Sequence, residues 1–327
     1  MAKTEEREIE KAKAKERSSQ HKKPEEKIKG RLMKAFKAVN SISGKSLTEA
    51  DIKRQRAALE RAGKLAAPTS DISARFFSLG DLHCQEFTPE FAHNPKYIIM
   101  YAHGGGYICG GLDYARILSA KLSIATGFST YSFAYRLAPE HPYPEALEDA
   151  MSMWEYLTGS VADADHILLA GDSAGGNLVL CLTQKLKEEK RPLPKGILLF
   201  SPWTDMTGTA HSYDENCEVD PTLTKEYVVG AAKVYINSAG NPWDARFSPL
   251  YGDFSSFPPT YIMAGRNEIL LDDSVKLKDK IIEAGGKAVL DIEEDGWHVY
   301  QQLPIPLAKR AMKRLSLYVT SFIYDEE

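Results

Sequence analysis

The pentapeptide Gly171-Asp172-Ser173-Ala174-Gly175 constrains this chain more than any other feature, because the apolar run His166–Ala170 leads straight into it. The run predicts a buried parallel strand, and Leu178, Leu182 and Leu186 recur at helical spacing over Ser173–Lys187. A serine at the hinge of such a strand and helix sits on a sharp turn with its hydroxyl pushed clear of the sheet. Side chains in place of the flanking glycines would collide with that turn. The placement suits a nucleophile. It then requires a base, a carboxylate to orient the base, and donors for a developing oxyanion.

The donors are expected 70 residues upstream, at His103-Gly104-Gly105-Gly106, directly after the apolar run Tyr97–Ala102. Glycines after a strand let backbone N–H groups point inward unobstructed. Fixed donors of this kind are often the largest stabiliser of an acyl-transfer oxyanion. Gly104 and Gly105 are assigned as two donors and Ala174, next to the nucleophile, as a third. A phosphate loop is the competing reading, but Tyr107, Ile108 and Cys109 follow the glycines where such a loop carries Lys and Ser or Thr.

The chain of 327 residues suffices for one large α/β domain with appendages. No stretch has the length of a membrane span, and the first residues are charged where a secretory signal is apolar. Cys84, Cys109, Cys181 and Cys217 lack metal-like spacing, so they are expected as free thiols in a cytoplasmic protein. Residues 1–30 hold ten positive and seven negative side chains, so the rest carries about −7 of the net −4. That leaves no basic surface to neutralise a phosphate backbone, and nucleic acid is excluded as a partner.

Residues 1–28 read as a solvated charged segment. Leu32, Met33, Phe36 and Val39 mark one face of a helix, and a second runs from an N-cap at Thr48 to Gly63, its apolar side at Ile52, Leu59 and Ala62. Residues 29–66 therefore form an N-terminal helical addition, and residues 67–327 the main domain. There, an antiparallel strand pair (73–79, 84–88) precedes strands at 97–102, 130–135, 166–170, 196–201, 260–264 and 287–292, alternating with helices. The rhythm is broken only by an insertion at about 205–245 with one helix near 225–236. Repeated βα units imply a mostly parallel sheet covered by helices on both faces.

In hydrolases of this layout the chain order is serine, acid, histidine. Of eight histidines only His298 follows all the carboxylates of the last βα unit, in the loop after the final strand. For the acid, Glu268 lies just beyond the strand 260–264, whereas Asp272 and Asp273 fall in the next helix's first turn, where the dipole alone favours them. Glu268 is the choice and Asp272 the alternative.

The segments His103–Gly106, Tyr135–His141, Gly171–Leu178 and Gly296–His298, in that order, resemble the hormone-sensitive-lipase family of bacterial esterases over roughly residues 67–327. The resemblance implies an α/β-hydrolase fold with a helical cap, built from the N-terminal helices and the insertion. In the family the acid is usually Asp, in a segment PPxxxxxxxxDPLRD. Laid on Pro258-Pro259, that Asp falls on Glu268 and the trailing Asp on Asp272. The expected activity is hydrolysis of short- to medium-chain carboxylic esters by Ser173, His298 and Glu268, without metal or organic cofactor. Phe36, Tyr107, Trp203 and Tyr227 are candidates to line the acyl site. A deacetylase or an amidase on the same triad is an alternative. A non-catalytic small-molecule receptor is another, although such receptors lack the histidine that this chain keeps as His298. The expected partner is a small ester; homo-oligomerisation is left open.

Overall fold

The computed structural model describes residues 47–65, 71–91 and 94–324. The charged segment and the helix expected around Leu32, Met33, Phe36 and Val39 lie outside the described residues. In chain order the elements are α1 (Glu49–Leu65), the antiparallel pair β1 (Ile72–Leu79) and β2 (Leu82–Pro89), β3 (Ile98–Ala102), α2 (Leu112–Thr126), β4 (Ser129–Phe133), α3 (Glu145–Ser160), β5 (Ile167–Asp172), α4 (Ala174–Glu188) and β6 (Gly196–Phe200). A long excursion carrying α5 (Ser212–Glu215) and α6 (Lys225–Ile236) leads to β7 (Thr260–Gly265), α7 (Leu271–Glu283), β8 (Ala288–Glu293) and α8 (Pro306–Tyr324).

The strands form one sheet in the order β1-β2-β4-β3-β5-β6-β7-β8, in which β2 runs antiparallel to β1 and β4 and all other pairs are parallel. Alternation along each central strand splits its side chains between two cores. Ile98, Met100 and Leu169 pack with Met153, Trp154 and Leu157 of α3 and Leu178 and Leu182 of α4. Ile99, Tyr101, Leu168 and Ala170 pack on the other face with Leu118 and Leu122 of α2 and Leu315 and Val319 of α8. β3, β5 and β7 are buried on both faces, which is why they read as unbroken apolar runs. Because they are parallel neighbours, the loops after β3, β5, β6, β7 and β8 all leave the same edge, where ligands bind in open α/β sheets. Among the described residues no helix is long and apolar enough to cross a membrane.

The start of α1 follows the sequence reading: Thr48 Oγ1 accepts from Asp51 N–H (3.2 Å) and Asp51 Oδ2 accepts from Thr48 N–H (3.1 Å), a reciprocal cap. Its end does not. The helix continues through Gly63 to Leu65, Gly63 is buried, and Ala62, expected on the apolar side, is exposed. Gly63 serves close packing rather than termination, since a Cβ there would lie 2.0 Å from the Asp113 carbonyl oxygen at the start of α2.

Helix propensity alone favours Gly63→Ala by about 1 kcal/mol. The backbone contact reverses the sign: the substitution is expected to destabilise by about 1–3 kcal/mol, as overpacking does. Urea titration of the two proteins checks it, and a variant at least as stable as the parent would refute the packing role.

Candidate active site

Ser173 bridges β5 and α4 with φ 53° and ψ −120°, a left-handed backbone that aims its side chain away from the sheet. Its N–H donates to Phe200 O (3.0 Å), and its carbonyl accepts from Trp203 N–H (3.0 Å). The flanking glycines are required sterically. A Cβ on Gly171 would meet Gly175 at 2.4 Å, and one on Gly175 would meet the Ala102 carbonyl oxygen at 2.1 Å.

The glycine loop after β3 corrects one expectation. The N–H of Gly104 donates to Asp172 Oδ1 (2.8 Å), so this donor is committed and does not face the cavity. The following two glycines line the cavity instead. His103 is buried and stacked on Tyr135 at 4.2 Å, and burial lowers its pKa to about 4, leaving the ring neutral. Its Nδ1 lies 2.7 Å from Gly104 O, and since a carbonyl only accepts, Nδ1 carries the proton. In a trans peptide the N–H points opposite to the C=O. Holding the Gly104 carbonyl therefore turns the Gly105 N–H the other way. The Gly105 carbonyl is likewise held, by Ile108 N–H (3.1 Å), Cys109 N–H (3.0 Å) and the Cys109 thiol (3.1 Å), which sets the Gly106 N–H.

His298 follows β8 by five residues, and its Nδ1 lies 3.6 Å from Glu268 Oε2, within ion-pair range and just beyond a hydrogen bond. Glu268 is fully buried. Desolvation pushes its carboxyl above the ordinary range, opposed by His298 and by the Ser201 hydroxyl. That hydroxyl donates to Glu268 Oε2 at 2.6 Å and accepts from Val299 N–H at 3.1 Å, so Ser201 joins the acid to the histidine loop. The alternative acid, Asp272, turns to α5 instead: its Oδ2 accepts from Ser212 N–H (3.1 Å).

Ser173 and His298 line one cavity of about 70 Å³, with Gly105, Gly106, Cys109, Tyr114, Trp203 and Leu270 from the main domain. Leu59 of α1, Leu223, and Tyr227, Val228 and Ala231 of α6 complete its wall. Of the sequence candidates for the acyl site, Trp203 and Tyr227 lie on this wall. Phe36 lies outside the described residues. Tyr107 is not on this wall: its hydroxyl donates to Asn177 Oδ1 (2.7 Å) and its ring stacks on Tyr235 at 3.7 Å, because its positive φ of 63° turns it into the core. Cys109 is buried and its thiol pKa is pushed to about 12, which leaves it inert. Sequence reasoning missed Gly106, Ser201 and the aliphatic wall. Only the position of Ser201, directly after a buried strand at the same edge, could have flagged it.

A serine on a strand-helix elbow, a histidine on the same cavity and a buried carboxylate behind it define a serine-hydrolase layout. Residues 99–302 match the model of the alpha/beta hydrolase fold family. An esterase of Acinetobacter venetianus is 34% identical over 230 residues, 70% of this chain and 76% of that protein. An acetyl-hydrolase of Streptomyces hygroscopicus is 29% identical over 272 residues, 80% and 88% of the two chains. The crystal structure of an esterase from the bacterial hormone-sensitive lipase family superposes with a TM-score of 0.84 at 30% identity, covering 92% of this chain and 99% of that one. The chain belongs to the α/β-hydrolase fold family and, within it, to the hormone-sensitive-lipase esterases. It is a carboxylic ester hydrolase.

Glu268→Gln is expected to cut kcat on the order of 10³- to 10⁴-fold, as loss of an orienting carboxylate does elsewhere. Asp272→Asn should cost far less. Because burial raises the folded-state pKa of Glu268, its charge destabilises the fold above that pKa, and the penalty disappears as pH falls below the unfolded value. Glu268→Gln should therefore melt higher than the parent at pH 8, with the gain shrinking towards pH 4. Kinetics and melting curves at both pH values check this; a larger kcat loss in Asp272→Asn would move the acid to that residue.

Proposed function

We propose that Ser173, His298 and Glu268 form the catalytic triad, and that the N–H groups of Gly105, Gly106 and Ala174 form the oxyanion hole. The observation that carries this reading is the shared cavity. It holds the strained serine, the histidine and the two glycines together, with the buried acid 3.6 Å behind the imidazole. Ser173 Oγ attacks the acyl carbon as His298 takes its proton, and Glu268 holds the Nδ1–H tautomer and balances the imidazolium. The distance to Glu268 shortens as that charge develops, since catalytic hydrogen bonds are often long in unliganded enzymes. Protonated His298 then delivers its proton to the leaving alcohol, and water releases the acid by the same steps in reverse.

Helices α1 and α6 act as a cap that closes the acyl side. A cavity of about 70 Å³ holds only a few water-sized groups. Its bulky wall of Leu59, Trp203, Leu223 and Tyr227 favours acetyl to butyryl esters over longer ones. The same small acyl site supports a second reading, removal of acetyl groups from larger alcohols, in line with the acetyl-hydrolase among the relatives. All four cysteines are free, which supports a reducing, cytoplasmic setting.

Ser173→Ala should stay folded and lose at least about 10³-fold in turnover of p-nitrophenyl acetate. Retention of more than a few per cent activity, with contamination excluded, refutes the nucleophile. Leu223→Ala should shift preference towards hexanoate, by up to about fourfold in kcat/KM per methylene accommodated. Matched esters and anilides separate an esterase from an amidase.

A further inference from the structure

Helix α1 touches the site in two chemically different ways. Leu59 lines the cavity. One turn earlier, Arg56 spreads its guanidinium over two loops: Nε donates to Ile108 O at 2.7 Å and Nη2 to Ala138 O at 2.9 Å. The rest of the fork is filled by Glu140, which accepts from Nη1 at 2.9 Å (Oε1) and from Nη2 at 2.7 Å (Oε2). Ile108 belongs to the turn after the glycines, and Ala138 to the segment after β4. These segments also meet directly, Ala138 N–H donating to Tyr107 O at 2.9 Å.

The turn held by Arg56 is the one that orients an oxyanion donor. The N–H groups of Ile108 and Cys109 fix the Gly105 carbonyl, and the planar trans peptide then fixes the Gly106 N–H on its opposite side. A planar guanidinium with several donors in fixed geometry can bridge two carbonyls and a carboxylate at once, which an ammonium cannot. The exposed Arg56–Glu140 pair adds little stability by itself, since solvent screens it. Its consequence is geometric: Glu140 fixes the rotamer from which Arg56 reaches both carbonyls. Glu140 stays ionised down to about pH 2, chiefly through the hydrogen bonds from Arg56, so the clamp is intact wherever an imidazole base can work.

Building on the catalytic reading above, we propose that Arg56 is a positioning residue for the oxyanion hole, acting through the Gly105–Cys109 turn. Removing it lets that turn relax and displaces the Gly106 N–H from the developing charge. The ground-state acyl pocket, walled by Leu59 and α6, is left in place. Loss of one oxyanion donor costs about 10²- to 10³-fold in kcat, so displacement of one should cost about 10- to 100-fold.

The test is steady-state kinetics of the full chain and its Arg56→Ala, Arg56→Lys and Glu140→Gln variants on p-nitrophenyl acetate and hexanoate, with inhibition by a short trifluoromethyl ketone. The ketone adduct carries the oxyanion. Arg56→Ala should lower kcat about 10- to 100-fold on both esters by the same factor, with KM within about threefold and a matching loss of ketone affinity. Arg56→Lys and Glu140→Gln should lie between it and the parent, and they carry the test if Arg56→Ala melts below the assay temperature. Unchanged kcat, or a KM effect confined to hexanoate, overturns the inference and leaves α1 a mere wall. Ser173→Ala reports separately on the triad. If it is inactive while Arg56→Ala matches the parent, only the role of Arg56 falls; if it remains active, both readings fall.

Discussion

Asp172 ends β5, immediately before the nucleophile, and is entirely buried. A carboxylate in that position needs donors, and four elements supply them: the hydroxyls of Tyr101 (β3) and Tyr114 (α2), the Gly104 N–H after β3, and the Gln302 side chain after β8. Burial pushes its pKa up, opposed by the hydrogen bonds from Tyr101, Gly104 and Tyr114 and by His298. The position of the glycine loop relative to Ser173 is therefore set by one side chain rather than by two loops packing independently. The approach is close enough that a Cβ on Gly104 would lie 2.4 Å from Asp172 Oδ2. Two consequences follow for the sequence: glycine is forced at 104, and its N–H is committed to Asp172, so the next two residues of the loop are the ones proposed to serve an oxyanion.

The site holds its titratable groups in uncommon states. His103 is neutral well below pH 7, while the Glu268 carboxyl is made harder to ionise by burial. Glu268 Oε2 is shared between Ser201 and His298, and Oε1 has no hydrogen-bond partner among the described residues. An acid so poorly solvated gains most when a positive charge forms beside it, which in the proposed triad is the His298 imidazolium. On that proposal the interaction is worth more at the transition state than in the resting enzyme, which is the condition for lowering a barrier. Ser201, itself at a left-handed φ of 47°, holds the Glu268 carboxylate from the end of the neighbouring strand.

Most of the sheet was legible in the sequence because a parallel strand buried on both faces must be apolar throughout. The approximate span of α6 was legible from its apolar spacing; the Thr224 cap, accepting from Tyr227 N–H at 3.2 Å, fixes its start. The proximity of His298 and Glu268 was legible from chain order, because parallel βα units deliver successive loops to one edge. What escaped depends on contacts between distant residues. Nothing local says that Gly104 rather than Gly105 meets Asp172, that Gly63 packs on Asp113, or that a positive φ turns Tyr107 into the core. Each of these residues obeys a steric or hydrogen-bonding demand set by a partner 50 or more positions away, and pattern reading over short windows cannot see such partners.

The proposed cap elements are tied to the main domain at its backbone. Asn216 donates to Glu268 O at 2.8 Å, Ile269 N–H donates to Asp220 Oδ2 at 2.9 Å, and the Ser212 hydroxyl donates to Ile269 O at 2.7 Å. The insertion thus grips the main chain of the acid loop, much as Arg56 grips the turn after the glycines. The residues that wall the cavity from the same elements, Leu59, Leu223, Tyr227, Val228 and Ala231, are apolar but for the Tyr227 hydroxyl. Polar ties to peptide groups locate the loops that carry Glu268 and the glycines, and apolar faces wall the cavity. These two jobs fall to different side chains on the same segment, as with Arg56 and Leu59 three residues apart on α1. Apolar wall positions can therefore vary in size, and with them the groups the cavity admits, without loosening the loops behind it.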